Sequence, residues 1–433
     1  MTNQIRVILP RYYDLVVGDT FQLFYRGVVE APDPYCYDIL ALCPKGSNYP
    51  RYFEFTPEEP GEYPLSVSVY DAGKNLLGRG ETILRVTTPK APEKPVHILC
   101  LGDSLTAGGQ WAGEAKRRLT GQGGTPEGMG YENVFFEGGC ERKGTRFEAY
   151  GGWTWGCYTE TTRNYIWVTC DHNKGISDQH SLWKDENGET WVLETLEPNR
   201  LKFNRAYPFK AYKGIPNGGQ LTHAGYGVNT EPITIKACCE EAGSPFINPD
   251  TNSMDIQGYC RRNNMETLDA VYILLGLNGW HAAHEAGMDV KEFAAQNVRE
   301  GKLLVDALRQ AFPEIHVRIL GLIGCCVRGG CGASYGARLP YCDDYGTMRL
   351  TMEMNLAYEA WAMEAEYRDF VEFVNMSGQF DAENSMALVE KPVNTRSTRK
   401  ELIGINGAHP TDEGYMQMAD AAYRSMVRLL QTV

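Results

Sequence analysis

Residues 97–119 read HILCLGDSLTAGGQWAGEAKRRL: an apolar run, a Gly-Asp-Ser turn, then residues at helical spacing. Val96 to Leu101 has almost no polar alternation, the pattern of a parallel strand buried on both faces. Trp111 to Leu119 reads as the first helix after it. Ser104 therefore stands at the carboxyl end of a parallel strand, where open α/β sheets place their ligands. Two readings of this junction stand side by side. Either Ser104 or Asp103 caps the helix, a sufficient reason for both residues. Or Ser104 is a nucleophile beside helix N–H groups that can stabilise an oxyanion, in which case it needs a base from elsewhere in the chain.

The alternation of strand and helix continues downstream. Val271 to Leu275 and Val317 to Ile323 read as further buried strands, the second interrupted by Arg318. Val290 to Phe312, Met348 to Ala365 and Gly414 to Leu430 read as helices. The fold expected is α/β with a parallel sheet. From about 157 to 246 the chain is rich in Trp, Tyr, Asn, Gly and Thr and lacks helical periodicity. Asn187-Gly188 between two strand-like runs predicts a hairpin, so this segment is a β-rich insertion. Residues 1–92 form a separate β domain, a small sandwich of Ig-like or jelly-roll type. Leu65, Val67 and Val69 alternate with serines, and turn signals flank that run. TTPKAPEKP, residues 87–95, is the stiff linker to the domain over 93–433.

A net charge of −13 over 433 residues argues against nucleic acid or an anionic membrane as partner and favours neutral substrates. No basic segment followed by an apolar one opens the chain, which predicts a cytoplasmic protein; one whose leader had been removed would be secreted. No apolar window reaches membrane-spanning length. The thirteen cysteines are scattered, with Cys238/Cys239 and Cys325/Cys326/Cys331 close together but without zinc-ribbon spacing. They predict reduced thiols, no metal site and no cofactor.

Of the eight histidines, His97 opens a strand, His316 precedes one, and His172, His180 and His223 lie in the insertion. His281 and His284 follow a candidate site loop. His409 lies in GINGAHPTDEGY, a loop before the last helix, from which it can reach the sheet edge. LGDSLTAG followed far downstream by NGAHPTDEGY resembles the SGNH, or GDSL-type, hydrolase family. Four blocks carry the likeness: Gly102-Asp103-Ser104; Gly152 in EAYGGWTW; Gly276 and Asn278 in LLGLNGW; and His409. The sequence departs from the family in having Gly279 and Asn406 where aspartates are usual.

The resemblance implies a flavodoxin-like three-layer α/β/α domain and a serine esterase working through an acyl-enzyme. Ser104 would be the nucleophile and His409 the base, with the N–H of Ser104, the N–H of Gly152 and Nδ2 of Asn278 as oxyanion donors. The group orienting His409 stays open. A backbone carbonyl near Asn406 would leave a Ser–His dyad, Asn406 itself could accept from Nδ1, and Asp412 or Asp381 could complete a triad. Trp153, Trp155 and Trp280 are candidate flat walls for a sugar, or else core residues. The expected function is hydrolysis of O-acetyl or short acyl esters on carbohydrates; the alternatives are a lipid or thioester acylhydrolase and a non-catalytic glycan-binding protein.

Overall fold

The computed structural model describes residues 5–159, 165–170, 181–197, 200–205, 218–224, 232–241, 244–248, 250–285, 287–324, 327–335 and 344–433. The chain forms two compact units. One comprises Met1–Gly151, Thr267–Leu275 and Glu314–Val433; the other comprises Gly152–Glu266 and Gly276–Pro313. His172, His180, Cys325 and Cys326 lie outside the described residues.

The first unit is built on a seven-stranded sheet. Its central strand, Val96–Gly102, is buried at every position except His97. It pairs in parallel with Ala270–Leu274 on one side and with Val134–Glu137 and Thr145–Ala149 on the other. His316–Leu320 and Val371–Val374 extend the sheet in parallel, and Cys140–Arg142 closes the far edge in the antiparallel sense. Ala270–Leu274 is wholly buried, which is why it reads as a continuous apolar run. The strand expected to reach Ile323 ends at Leu320, and a side chain takes over beyond it. Asn355 Oδ1 accepts from the Leu322 N–H at 2.7 Å and its Nδ2 donates to the Leu322 carbonyl at 2.9 Å. Arg318, the charged interruption, is buried against Glu372 of the neighbouring strand at 3.1 Å.

The N-terminal residues form two small sheets closing on one core. Four strands (Tyr12–Val16, Leu76–Thr87, Gly61–Tyr70 and Asp38–Leu42) face three (Phe21–Phe24, Tyr52–Phe55 and Ser47–Asn48). Leu15, Phe21, Leu23, Leu65, Val67, Val69 and Leu84 fill the space between them. These sheets belong to the same compact unit as the seven-stranded sheet, and buried charges join the two. Asp19 accepts from Arg118 Nη2 and from Arg424 Nε, both at 2.6 Å. Arg424 continues to the Thr20 carbonyl at 2.7 Å and to Gln379 at 2.8 Å. Arg118 also reaches Asp420 at 2.5 Å and lies over the Tyr423 ring. The two arginine side chains are 2% and 5% exposed. Burial alone would raise the Asp19 carboxyl, but Arg424 and Arg118 outweigh it and hold it below its ordinary value. A second set, Asp14–Arg85–Glu372, ties the first N-terminal strand to the sheet.

The second unit contains a closed six-stranded barrel running from Tyr165 to Glu241, within the segment read as a β-rich insertion. Ile166, Val168, Trp183, Trp191, Leu193, Phe203 and Ile235 fill it. The Asn187-Gly188 turn joins two of its strands, Leu182–Lys184 and Thr190–Glu197, with Gly188 at φ +76° and Asp185 Oδ1 accepting from Asn187 and Glu189. The long helix Val290–Ala311, capped by Asp289, belongs to this unit. Among the described residues no helix is long and apolar enough to cross a membrane. Cys100, Cys157, Cys170, Cys260 and Cys331 are buried, Cys36 is exposed, and Cys43 and Cys140 are partly so.

Asp19→Ala leaves two buried guanidiniums without their shared carboxylate and is expected to cost about 3–5 kcal/mol, read as a lower urea midpoint. Because the folded carboxyl sits low, its stabilisation is complete above about pH 4 and is lost as the pH falls through the lowered folded value. Acid titration of wild type against Asp19→Ala checks the sign: the gap between them should close toward low pH.

Candidate active site

Gly102 ends the central strand at a point that admits no side chain. A Cβ there would meet Thr106 Oγ1 at 2.2 Å and the Leu274 carbonyl at 2.8 Å. The chain then turns into the short helix Ser104–Ala107, and Asp103 caps it by accepting from the Leu105 N–H at 3.0 Å. Trp111 Nε1 donates to Thr106 Oγ1 at 3.1 Å, anchoring the turn to the next helix, Gln110–Thr120. Gly109 at φ +72° makes the bend between the two helices. Capping is thus the work of Asp103, and the Ser104 side chain is directed elsewhere.

It is directed at His409. Nε2 of His409 lies 2.9 Å from Ser104 Oγ, across 305 residues of sequence. The loop carrying this histidine is fixed at several points. Asn406 Oδ1 accepts from the N–H groups of Ala408 at 3.0 Å and His409 at 2.9 Å. Ser334 Oγ accepts from the Gly407 N–H at 2.7 Å. Pro410 bridges Met386, the Thr411 N–H donates to the Ser385 carbonyl at 2.9 Å, and Thr411 caps the final helix, Asp412–Leu429. Gly414 fits only as glycine, because a Cβ would meet the Ser385 carbonyl at 2.5 Å.

The candidates for orienting the base fall in different places. Asn406 spends its side-chain oxygen on backbone N–H groups of its own loop, as a turn-forming residue does. Asp381 is bound to Arg51 at 2.5 Å, to the Glu383 N–H at 3.1 Å and to Asn384 at 2.9 Å, so its carboxylate is spent on the N-terminal sheets and its own turn. Asp412 is exposed in the first turn of the final helix, where its charge suits the helix N-terminus.

Gly152, Asn278, Trp153, Trp155 and Trp280 belong to the second unit. Gly152 has φ +78°. Asn278 Nδ2 donates to the Trp153 carbonyl at 3.1 Å. Gly279, standing where the family has aspartate, has φ +87°, a backbone conformation in which a side chain would be strained. Trp153 and Trp155 are 1% and 0% exposed, and Trp153 packs edge-on against Tyr158 with ring centres 4.7 Å apart. Trp280, 8% exposed, packs on His284 and Phe293. Rings buried in this way present no open face to a sugar, so the reading of these tryptophans as flat walls is corrected to core packing. Among the described residues no group of three or more His, Cys, Asp or Glu side chains could hold a metal ion.

Asp103 was read from the sequence as part of the nucleophile block, but its burial was not. It is 2% exposed, and that burial pushes its carboxyl up to about 7 against the lowering effect of the Leu105 N–H. Ser334, Ser385 and Met386, which hold the histidine loop, carry no motif, and nothing in the sequence singles them out.

No family model matches the chain, and no curated protein matches it. Solved structures do. A peptidoglycan O-acetylesterase matches at 14% identity over 78% of this chain and 93% of its own, with a TM-score of 0.32. An acetyl esterase mutant with bound acetate ion matches at 14% identity over 78% and 99%, with a TM-score of 0.34. A carbohydrate acetylesterase family member from Sinorhizobium meliloti matches at 12% identity over 78% and 100%, with a TM-score of 0.35. All three of these solved structures are described as acetylesterases.

The raised Asp103 carboxyl gives a signed prediction. Its folded value lies above its unfolded one, so it favours the fold at low pH and that contribution is lost as the pH rises from about 4 through about 7. Asp103→Asn keeps an oxygen for the Leu105 N–H without the buried charge. Its stability relative to wild type should rise across that window, by on the order of a few kcal/mol, and stay level above it. Urea midpoints at a series of pH values measure this; a gap independent of pH would show that Asp103 carries no such charge.

Proposed function

We propose that the chain is a serine esterase hydrolysing O-acetyl or other short acyl esters on carbohydrates. The single observation that carries the proposal is the 2.9 Å contact between His409 Nε2 and Ser104 Oγ at the end of a buried parallel strand. A serine hydroxyl is a weak nucleophile alone, and an imidazole within hydrogen-bond reach supplies the missing base. Nε2 takes the hydroxyl proton while Oγ attacks the ester carbonyl, giving a tetrahedral oxyanion. The imidazolium returns that proton to the leaving alcohol, which departs and leaves an acyl-serine. A water molecule, deprotonated in turn by Nε2, attacks the acyl group and restores Ser104. A dyad accounts for the committed side chains of Asn406 and Asp381 and the exposed position of Asp412. The reading includes the flavodoxin-like three-layer domain of the SGNH family, and the carbohydrate part of the substrate rests on that resemblance.

Hydrolysis of p-nitrophenyl acetate, butyrate and octanoate tests the proposal. Ser104→Ala and His409→Ala should each lower kcat by about a thousandfold or more. Turnover that survives Ser104→Ala would falsify the esterase reading, and a preference for octanoate would move it to lipids. Asp412→Asn and Asp381→Asn should retain most of the activity; a fall of several thousandfold in either would identify a third member of a triad.

A further inference from the structure

The histidine loop is rooted in a structure the proposed chemistry does not use. Leu388–Pro392 and Lys400–Gly404 form an antiparallel hairpin whose ladder continues past its strands. The Ile405 N–H donates to the Ala387 carbonyl at 3.0 Å, Pro410 bridges Met386, and the Thr411 N–H donates to Ser385. Residues 406–409 are thus an excursion from the foot of this hairpin, and His409 sits on that excursion.

The strands of the hairpin are exposed to solvent except at Leu388, Ile403 and Gly404, with Val389 at 36% and Leu402 at 44%. Its second strand rests on the helix Gly330–Tyr335, with the Gly404 N–H donating to the Arg328 carbonyl at 3.0 Å, and its outer residues are open to solvent. Its charge is opposite to that of the protein. Lys391, Arg396, Arg399 and Lys400 stand against Glu390 and Glu401, in a chain of net charge −13. Lys400 pairs with Glu390 at 3.4 Å. Among the described residues, Lys391, Arg396 and Arg399 have no carboxylate partner.

The tip that holds two of these cations is ordered by its own hydrogen bonds. Asn394 Oδ1 accepts from the Arg396 N–H at 2.9 Å, Ser397 Oγ accepts from the Arg399 N–H at 3.0 Å, and the Val393 N–H donates to the Arg399 carbonyl at 3.0 Å. Thr395 and Thr398 are exposed beside them.

We propose that this hairpin is a docking arm for a carboxylate-bearing saccharide chain, the polymer that carries the ester Ser104 cleaves. The substrate class rests on the esterase reading above. Unpaired guanidinium and ammonium groups among hydroxyl side chains, with aliphatic strands behind them, match the carboxylates, hydroxyls and C–H faces of such a chain. The acidic remainder of the surface repels a polyanion elsewhere and confines its approach to the arm, whose foot holds the base.

The test compares acetylated polygalacturonate, acetylated mannan as a neutral polymer, and p-nitrophenyl acetate. The triple variant Lys391→Gln/Arg396→Gln/Arg399→Gln should lose about tenfold or more in kcat/KM on the polygalacturonate while keeping its rates on the other two. Raising NaCl to about 0.5 M should bring wild type down to the variant on that polymer alone. Equal rates of wild type and variant on polygalacturonate overturn the proposal. A separate readout survives failure of the esterase reading: retardation of Ser104→Ala in gels containing polygalacturonate, abolished by the triple variant. Absence of retardation overturns the arm. So does a salt-sensitive dimer that the triple variant dissolves, which would assign the hairpin to contacts between copies of the chain.

Discussion

The structure turns on the crowding at the end of the central strand. Val96–Gly102 pairs with three other strands, so its backbone cannot shift without disturbing the whole sheet. At its last residue the space where a side chain would go is filled by Thr106 and by the Leu274 carbonyl of the neighbouring strand. The helix bearing Ser104 can pack this close only over a glycine. Asp103 then closes the turn, and its burial is the electrostatic cost of holding the hydroxyl where it is. Position is set here by packing, and chemistry follows from position.

Much of this was legible in the sequence. The parallel strands read directly because strands buried on both faces lose their polar alternation. Ser104 and His409 were named together, and the structure brings them to 2.9 Å. Less could be read where a side chain had several partners to choose from. Asn406 looked like a weakened aspartate facing a ring nitrogen; its oxygen serves two backbone N–H groups instead. Arg118 sits in the run AKRRL, where nothing in the pattern marks it as buried, yet it is 2% exposed because a carboxylate nearly a hundred residues earlier in the chain comes to meet it. Trp153 and Trp155 carried no mark to separate a binding wall from a core, since both uses require the same large apolar ring.

The N-terminal residues form β sheets, and buried charges attach them to the rest of their compact unit. A proline-rich linker suggests independence, whereas Asp14, Asp19, Arg51 and Arg85 each reach charged side chains of the later sequence. Ion pairs of this kind are invisible to pattern, because each partner taken alone is an ordinary surface residue. They cost desolvation and repay it only when every partner is in place, which makes the attachment specific rather than merely sticky.

The closed barrel has a different significance. It brings its own apolar filling, and closure leaves no strand edge seeking a partner. An element that satisfies its own hydrogen bonds and buries its own side chains imposes few demands on the sequence around it. Its loops are therefore free to lengthen, shorten or change composition over evolutionary time while the strand that presents Ser104 keeps its register. Variation among descendants of this chain should accumulate in the barrel first, and the two ends of the Ser104–His409 contact should be the last to drift.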